Sequence, residues 1–299
     1  MQKRDSVHLP PGAQVGLQPT IDNDIAPSAF FLVLYLLGAI INELRFQLNR
    51  RKGHKFLMSW AMFGFAMTRV VTLTLRITYA IYPNNIHLGV ASVIFTHAGL
   101  LVVYIVLFIL SMRILRALQP PIGWSRELRT TLLPACIVLT IAIFTTITLV
   151  IIDFYSTNKT YLSISSWTTR ACATYILAFN ALGIVLFLLA TLLPPHPQAE
   201  DFGAGSMAAK LVILALALFL INFIAAFRTA VAWVDAPPVH EPAWFDSRGV
   251  FYGWELAPEI LVIYLFVFTR FERRFWVPDG SWRAGITLRG VRLWKAMVL

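Results

Sequence analysis

The sequence predicts an all-α protein: a polytopic bundle of seven transmembrane helices, N-terminus outside and C-terminus cytoplasmic. Three observations predict it. First, 58% of the 299 residues are hydrophobic and only 13% are charged, against about 25% charged in soluble domains. Such a chain has too little polar surface for water. Second, the apolar residues are gathered into seven runs, each long enough for the roughly 20 residues that cross a bilayer as a helix. Third, Lys and Arg alternate in density between successive loops, which sets direction.

The runs cover residues 27–48, 56–82, 86–112, 131–152, 167–193, 208–233 and 250–268. In hydrocarbon every backbone N–H and C=O must be bonded inside the structure, and runs this long and continuous suit helices rather than barrel strands. Three domains follow: a short polar extracellular tail (1–26), the helical domain (27–269) and a basic, aromatic cytoplasmic tail (270–299). The first loop carries Arg45, Arg50, Arg51, Lys52 and Lys55, and the third Arg113, Arg116, Arg126 and Arg129. The tail adds Arg270, Arg273, Arg274, Arg283, Arg289, Arg292 and Lys295, whereas the opposite side holds only Lys3, Arg4, Lys159 and Arg248. Asn158-Lys159-Thr160 is a glycosylation sequon, and Asn158 falls on the side assigned as outside. The plasma membrane is the expected location.

The net charge of +10 does not read as a nucleic-acid surface, because the basic residues flank apolar runs. It fits attraction to anionic lipid headgroups. The first 26 residues have no apolar core and form no cleavable signal peptide. Cys136 and Cys172 lie inside apolar runs and read as small buried hydrophobes. The segment "LLPPHPQAEDFGAGS" (192–206) reads as a flexible connector between two halves of the bundle. The tail "RFERRFWVPDGSWRAGITLRGVRLWKAMVL" suits the inner headgroup layer or a disordered basic tail.

Seven charged residues lie inside or at the ends of the spans. An isolated charge at mid-bilayer costs roughly 2.5–3.5 kcal/mol on insertion scales, so these groups pair, face a cavity or snorkel. Counting along the spans puts Arg76, Arg170, Arg228, Glu255 and Glu259 in the outer third and Arg69 near mid-membrane; Glu43 reaches the inner interface. Arg69, Thr72, Arg76 and Tyr79 form one helical stripe, and Tyr252, Glu255 and Glu259 another. His97 shares a face with Tyr104, and Asn180 and Asn222 add polar groups at mid-depth. The stripes predict an outward-facing interior cavity lined by Arg69, Arg76, His97, Arg170, Asn180, Asn222, Arg228, Glu255 and Glu259, with one surplus positive charge. The expected pairs are Arg228 with Glu259, and Arg76 or Arg170 with Glu255. Packing pairs without a ligand explain the same residues equally simply. Pro258 removes the N–H that would bond the Trp254 carbonyl and is expected to kink the helix.

The histidines do not converge, which argues against a zinc hydrolase. The chain lacks a "GxxxxGK[ST]" phosphate loop, and no Ser/His/acid set shares one depth, so neither an enzyme nor a cofactor is expected. The stretch "LRITYAIYPNNIHLGVASVIFTHAGLLVVYIVLFILSMRILRALQPPIGW" resembles a family of fungal multi-span proteins that is defined only as a domain of unknown function. "FIAAFRTAVAW" followed by "YGWELAPEI" is similar to the fungal lipid-translocating exporters, which implies key roles for Arg228 and Glu255. The expected activity is handling of an anionic or amphiphilic small molecule, with membrane lipids as partners, driven passively or by ions, with Glu259 as the proton carrier. A heptahelical receptor or sensor is the alternative. The third span's "SMRIL" lacks the acidic-Arg-aromatic signature of rhodopsin-like receptors, and the seventh span has no Lys for a retinal Schiff base.

Overall fold

The computed structural model describes residues 15–53, 55–156, 158–194, 196–235, 237–238 and 240–277. Seven helices are long and apolar enough to cross a membrane, and the described residues contain no β-strand. The protein is therefore a multi-pass membrane protein. The helices are α1 (Ile21–Arg51), α2 (Leu57–Ile81), α3 (Ile86–Leu118), α4 (Arg126–Tyr155), α5 (Lys159–Leu192), α6 (Met207–Trp233) and α7 (Arg248–Thr269). A short turn, α8 (Phe271–Arg274), follows.

α1 starts at Ile21, ahead of the apolar run expected from 27. Thr20 takes an extended conformation (φ −125°, ψ 154°), and Asp22 and Asp24 occupy the first turn. Acids there complement the positive end of the helix dipole. Pro27 is accommodated within this helix.

α3 runs through the centre and packs against α2, α4, α5 and α6; α7 closes the ring between α6 and α1. The core is aliphatic and aromatic, with Leu73, Leu110, Leu214, Ile221, Ile263 and Phe266 fully buried. The apolar side chains that point outward, such as Phe30, Leu133, Phe144 and Phe268, face where lipid would lie. α7 is the most enclosed helix and α4 the least.

α7 is not a uniform α-helix. Residues Phe251–Leu256 form a π-helical turn, and α geometry resumes at Ala257. The wide turn lies just ahead of Pro258. In an unbroken α-helix the Pro258 ring would clash with the Trp254 carbonyl, and widening the turn relieves that contact. The expected disturbance at Pro258 is thus a π-turn.

At the end of the bundle where α7 finishes, two expectations change. The 192–206 connector is packed rather than free. Phe202 is buried against Phe275, with ring centres 6.3 Å apart. Gln119 Nε2 donates to the Pro194 carbonyl, Glu200 N–H to Ala117 and Ala204 N–H to Arg273, all at 2.8–2.9 Å. Fully buried Lys210 donates to Asp201 at 2.7 Å and to the Phe202 carbonyl. Gly203 sits at φ +62°, where a Cβ would lie 2.0 Å from the Arg274 carbonyl oxygen, so only glycine fits. The start of the expected tail also belongs to the bundle. Arg270 turns left-handed (φ 49°) and ends α7, which folds Phe271 and Phe275 back into the core. Arg45 donates to the Val267 carbonyl at 2.5 Å, and Arg113 to that of Phe275 at 2.5 Å. The remainder of that tail, 278–299, lies outside the described residues.

Candidate functional site

Arg69 and Glu259 meet at the centre of the bundle. Arg69 lies twelve residues from either end of α2, and Glu259 sits midway along α7. Both are 0% exposed. Arg69 Nε and Nη2 donate to the two carboxylate oxygens at 2.6 Å each, a bidentate pair, and Nη1 donates to the Thr96 carbonyl at 2.8 Å. The Tyr35 hydroxyl of α1 sits 2.9 Å from Glu259 Oε2 and 3.0 Å from the Leu256 carbonyl. This ties α1, α2, α3 and α7 together at one depth. Removing one partner of such a buried pair typically costs about 3–5 kcal/mol.

Glu259 therefore pairs with Arg69 rather than with Arg228. The reason is depth: each of the two lies at the midpoint of its own helix. Glu259 also lies midway along its helix rather than in the outer third where the count along the span put it. Both of its oxygens accept from Arg69.

Arg228 on α6 pairs one turn nearer the N-terminal end, with Glu255. Its Nη2 donates to Glu255 Oε2 at 3.0 Å, and its side chain is 17% exposed against 5% for the glutamate. A guanidinium has five N–H donors. The buried Nε of Arg228 has no acceptor among the described residues. The partly buried His97, and buried Tyr104 on the same face of α3, lie within electrostatic reach of both Arg69 and Arg228. Arg69, Arg228, Glu255, Glu259 and His97 thus form one interior group.

Arg76 belongs to a second cluster. Its Nη2 donates to Asp24 Oδ1 at 2.7 Å and to the Gly16 carbonyl at 2.5 Å, and its guanidinium lies 4.4 Å from the centre of the Phe251 ring. Asp24, 1% exposed, also accepts from Arg248 Nε at 2.7 Å, from the Thr20 N–H at 3.0 Å and from the Tyr252 hydroxyl at 3.0 Å. Two guanidiniums share one carboxylate here. Hydropathy hid Asp24, because it lies before the apolar run. The available signal was Thr20 followed by Asp22 and Asp24, acids of the kind that fill a helix's first turn. The same end holds Asp246, outside the spans, whose carbonyl accepts the Gly16 N–H at 2.9 Å. Burial raises the Asp246 carboxyl above the usual aspartate range, while the Ala243 N–H at 3.1 Å pulls it down.

The other three expected residues lie apart. Arg170 donates to Asp235 at 2.5 Å and to the Ala232 carbonyl at 3.1 Å, at the end of the α5–α6 seam and beside the Trp167 and Trp233 rings. It snorkels. Asn180 and Asn222 each donate to the carbonyl four residues back in their own helix, Ile176 and Leu218, at 2.9 Å. Asn158 is exposed and caps α5, its side chain accepting the Thr160 N–H at 3.0 Å. Two surface pockets, about 570 Å³ around residues 81–87 and about 220 Å³ around 185–193, lie away from the charged groups.

No group of three or more His, Cys, Asp or Glu among the described residues is placed to hold a metal ion. No protein-family model, curated protein or solved structure matches the chain.

Proposed function

We propose that this membrane protein binds an anionic or amphiphilic small molecule at Arg228 and moves it between the membrane's two faces without nucleotide hydrolysis. One observation carries the reading. Among the described residues, Arg69, Arg76, Arg170 and Arg248 each have two or more hydrogen-bond acceptors, whereas Arg228 has one and a buried Nε without any. An under-bonded guanidinium inside a membrane is costly unless a ligand completes it. A carboxylate or phosphate headgroup supplies the missing acceptors. Glu255 holds the guanidinium in place through a single contact, which a headgroup can join or displace. The Arg69–Glu259–Tyr35 network is the fixed frame against which that contact is made.

The similarity of "FIAAFRTAVAW" and "YGWELAPEI" to the lipid-translocating exporters favours the same residues. The distribution of Lys and Arg favours an extracellular N-terminus, which puts the Arg228 level toward the outer leaflet of the plasma membrane. The test is leaflet exchange of a fluorescent acidic lipid in proteoliposomes. Wild type should exchange it and Arg228→Gln should not, with equal thermal stability of the two proteins in detergent. Equal exchange by both overturns the reading.

A further inference from the structure

The lipid-facing side of the α6–α7 seam carries a ladder of aromatic rings. The Trp254 ring centre lies 5.5 Å from Trp244, 5.5 Å from Phe227 and 5.4 Å from Phe223, with interplanar angles of 52–68°. Trp244 is 64% exposed, Trp254 40% and Phe223 37%. Phe223 lies ten residues inside the Trp233 end of α6, roughly 15 Å at 1.5 Å per residue. Trp254 lies six residues inside the Arg248 end of α7, roughly 9 Å deep. Trp244 precedes α7 in a 3₁₀ turn, Trp244–Asp246. The rings therefore run from the membrane surface to near its middle, deeper than an interfacial belt of Trp and Tyr.

The seam changes character across its thickness. Trp254 faces out and packs against the buried Phe227 ring, and their sequence neighbours Glu255 and Arg228 make the ion pair. Both α7 residues lie in the π-turn, where the backbone departs from α geometry. π-turns are rare and occur frequently at functional sites. An apolar wall open to lipid thus stands directly beside a guanidinium with unused donors.

From this we infer that the α6–α7 seam is a lateral binding site for an acidic lipid drawn from the bilayer. Its acyl body lies along the exposed Phe223, Trp244 and Trp254 rings, which the buried Phe227 backs, and its phosphate or carboxylate reaches Arg228 between the helices. The inference rests on the proposed function and adds the side from which the ligand enters. Aromatic faces pack against chains of any shape, so the wall selects for an apolar body while Arg228 selects for the acid.

The test is fluorescence quenching in phosphatidylcholine vesicles by brominated phosphatidic acid against brominated phosphatidylcholine at equal mole fraction. The readout is the emission component that Trp254→Phe removes. For the wild type, about tenfold stronger association of the acidic lipid is expected at this tryptophan, the effect of one charge-assisted hydrogen bond. Arg228→Gln should bring the two lipids level. Phe223→Ala, at a lipid-facing position, should weaken quenching by both. Equal quenching in the wild type, or a preference that survives Arg228→Gln, overturns the inference. Leaflet exchange measured in parallel separates the two readings. Exchange lost in Arg228→Gln without acidic-lipid preference at Trp254 sinks the seam alone. A preference without exchange in the wild type sinks the transport reading alone.

Discussion

Arg69 and Glu259 show what a charge must do to stay in a membrane. Each polar atom of the pair is engaged, and both side chains are excluded from the surface. Glu259→Gln leaves Arg69 charged and half-bonded, so a loss of about 3–5 kcal/mol is expected. Thermal denaturation in detergent should report it, and Arg69→Met combined with Glu259→Leu should regain most of it; a double variant no better than the single would contradict the pairing. Asp24→Asn removes the one carboxylate between Arg76 and Arg248, and a lower unfolding temperature is likewise expected. The charged residues themselves were legible in the sequence, since an acid or arginine within an apolar run stands out. Their partners were not. Helical spacing states which residues share a face, yet says nothing about which face of a neighbour meets it, and the edge of an apolar run does not mark where a helix begins. Asp24 escaped notice for the same reason, lying before the hydropathy edge though inside the helix.

The elements follow from the same economy of backbone bonds. Pro258 denies the Trp254 carbonyl its usual N–H, and α7 answers with a π-turn that places Trp254 outside and Glu255 inside. Pro258→Ala removes the ring clash and lets an α-helix run through. Unfolding temperature should rise or hold, since proline inside a helix costs about 3 kcal/mol, while leaflet exchange should fall as Glu255 shifts from Arg228. A variant that exchanges lipid as the wild type does would show that the wide turn has no part in the site. The connector at 192–206 shows where composition misleads. Its Pro and Gly residues suggested freedom, but Phe202 finds a buried place and Gly203 and Gly205 permit the positive φ that brings it there. Gly203→Ala should destabilise that end by more than the ~1 kcal/mol of an ordinary Gly substitution, because the added methyl meets backbone.

For the whole molecule, seven spans were legible from run length alone, because lipid leaves the backbone few alternatives. The order of packing around α3 was not, since every helix has an apolar surface. Direction is a separate matter, and the arginine-rich loops predict it. Arg51 and Asn84 are exposed at opposite ends of α2's surroundings and suit cysteine substitution. A membrane-impermeant thiol reagent on intact cells should label Asn84→Cys at once and Arg51→Cys only after permeabilisation; the reverse pattern would invert the molecule and place Arg228 toward the inner leaflet.

The central claim is that Arg228, held by one glutamate at membrane depth, is completed by an acidic amphiphile. Mass spectrometry of lipid co-purifying with the intact protein tests it most directly. The wild type should retain acidic lipid in excess of its share of the membrane, and Arg228→Gln should return to that share. The same lipid profile on both proteins would contradict the claim.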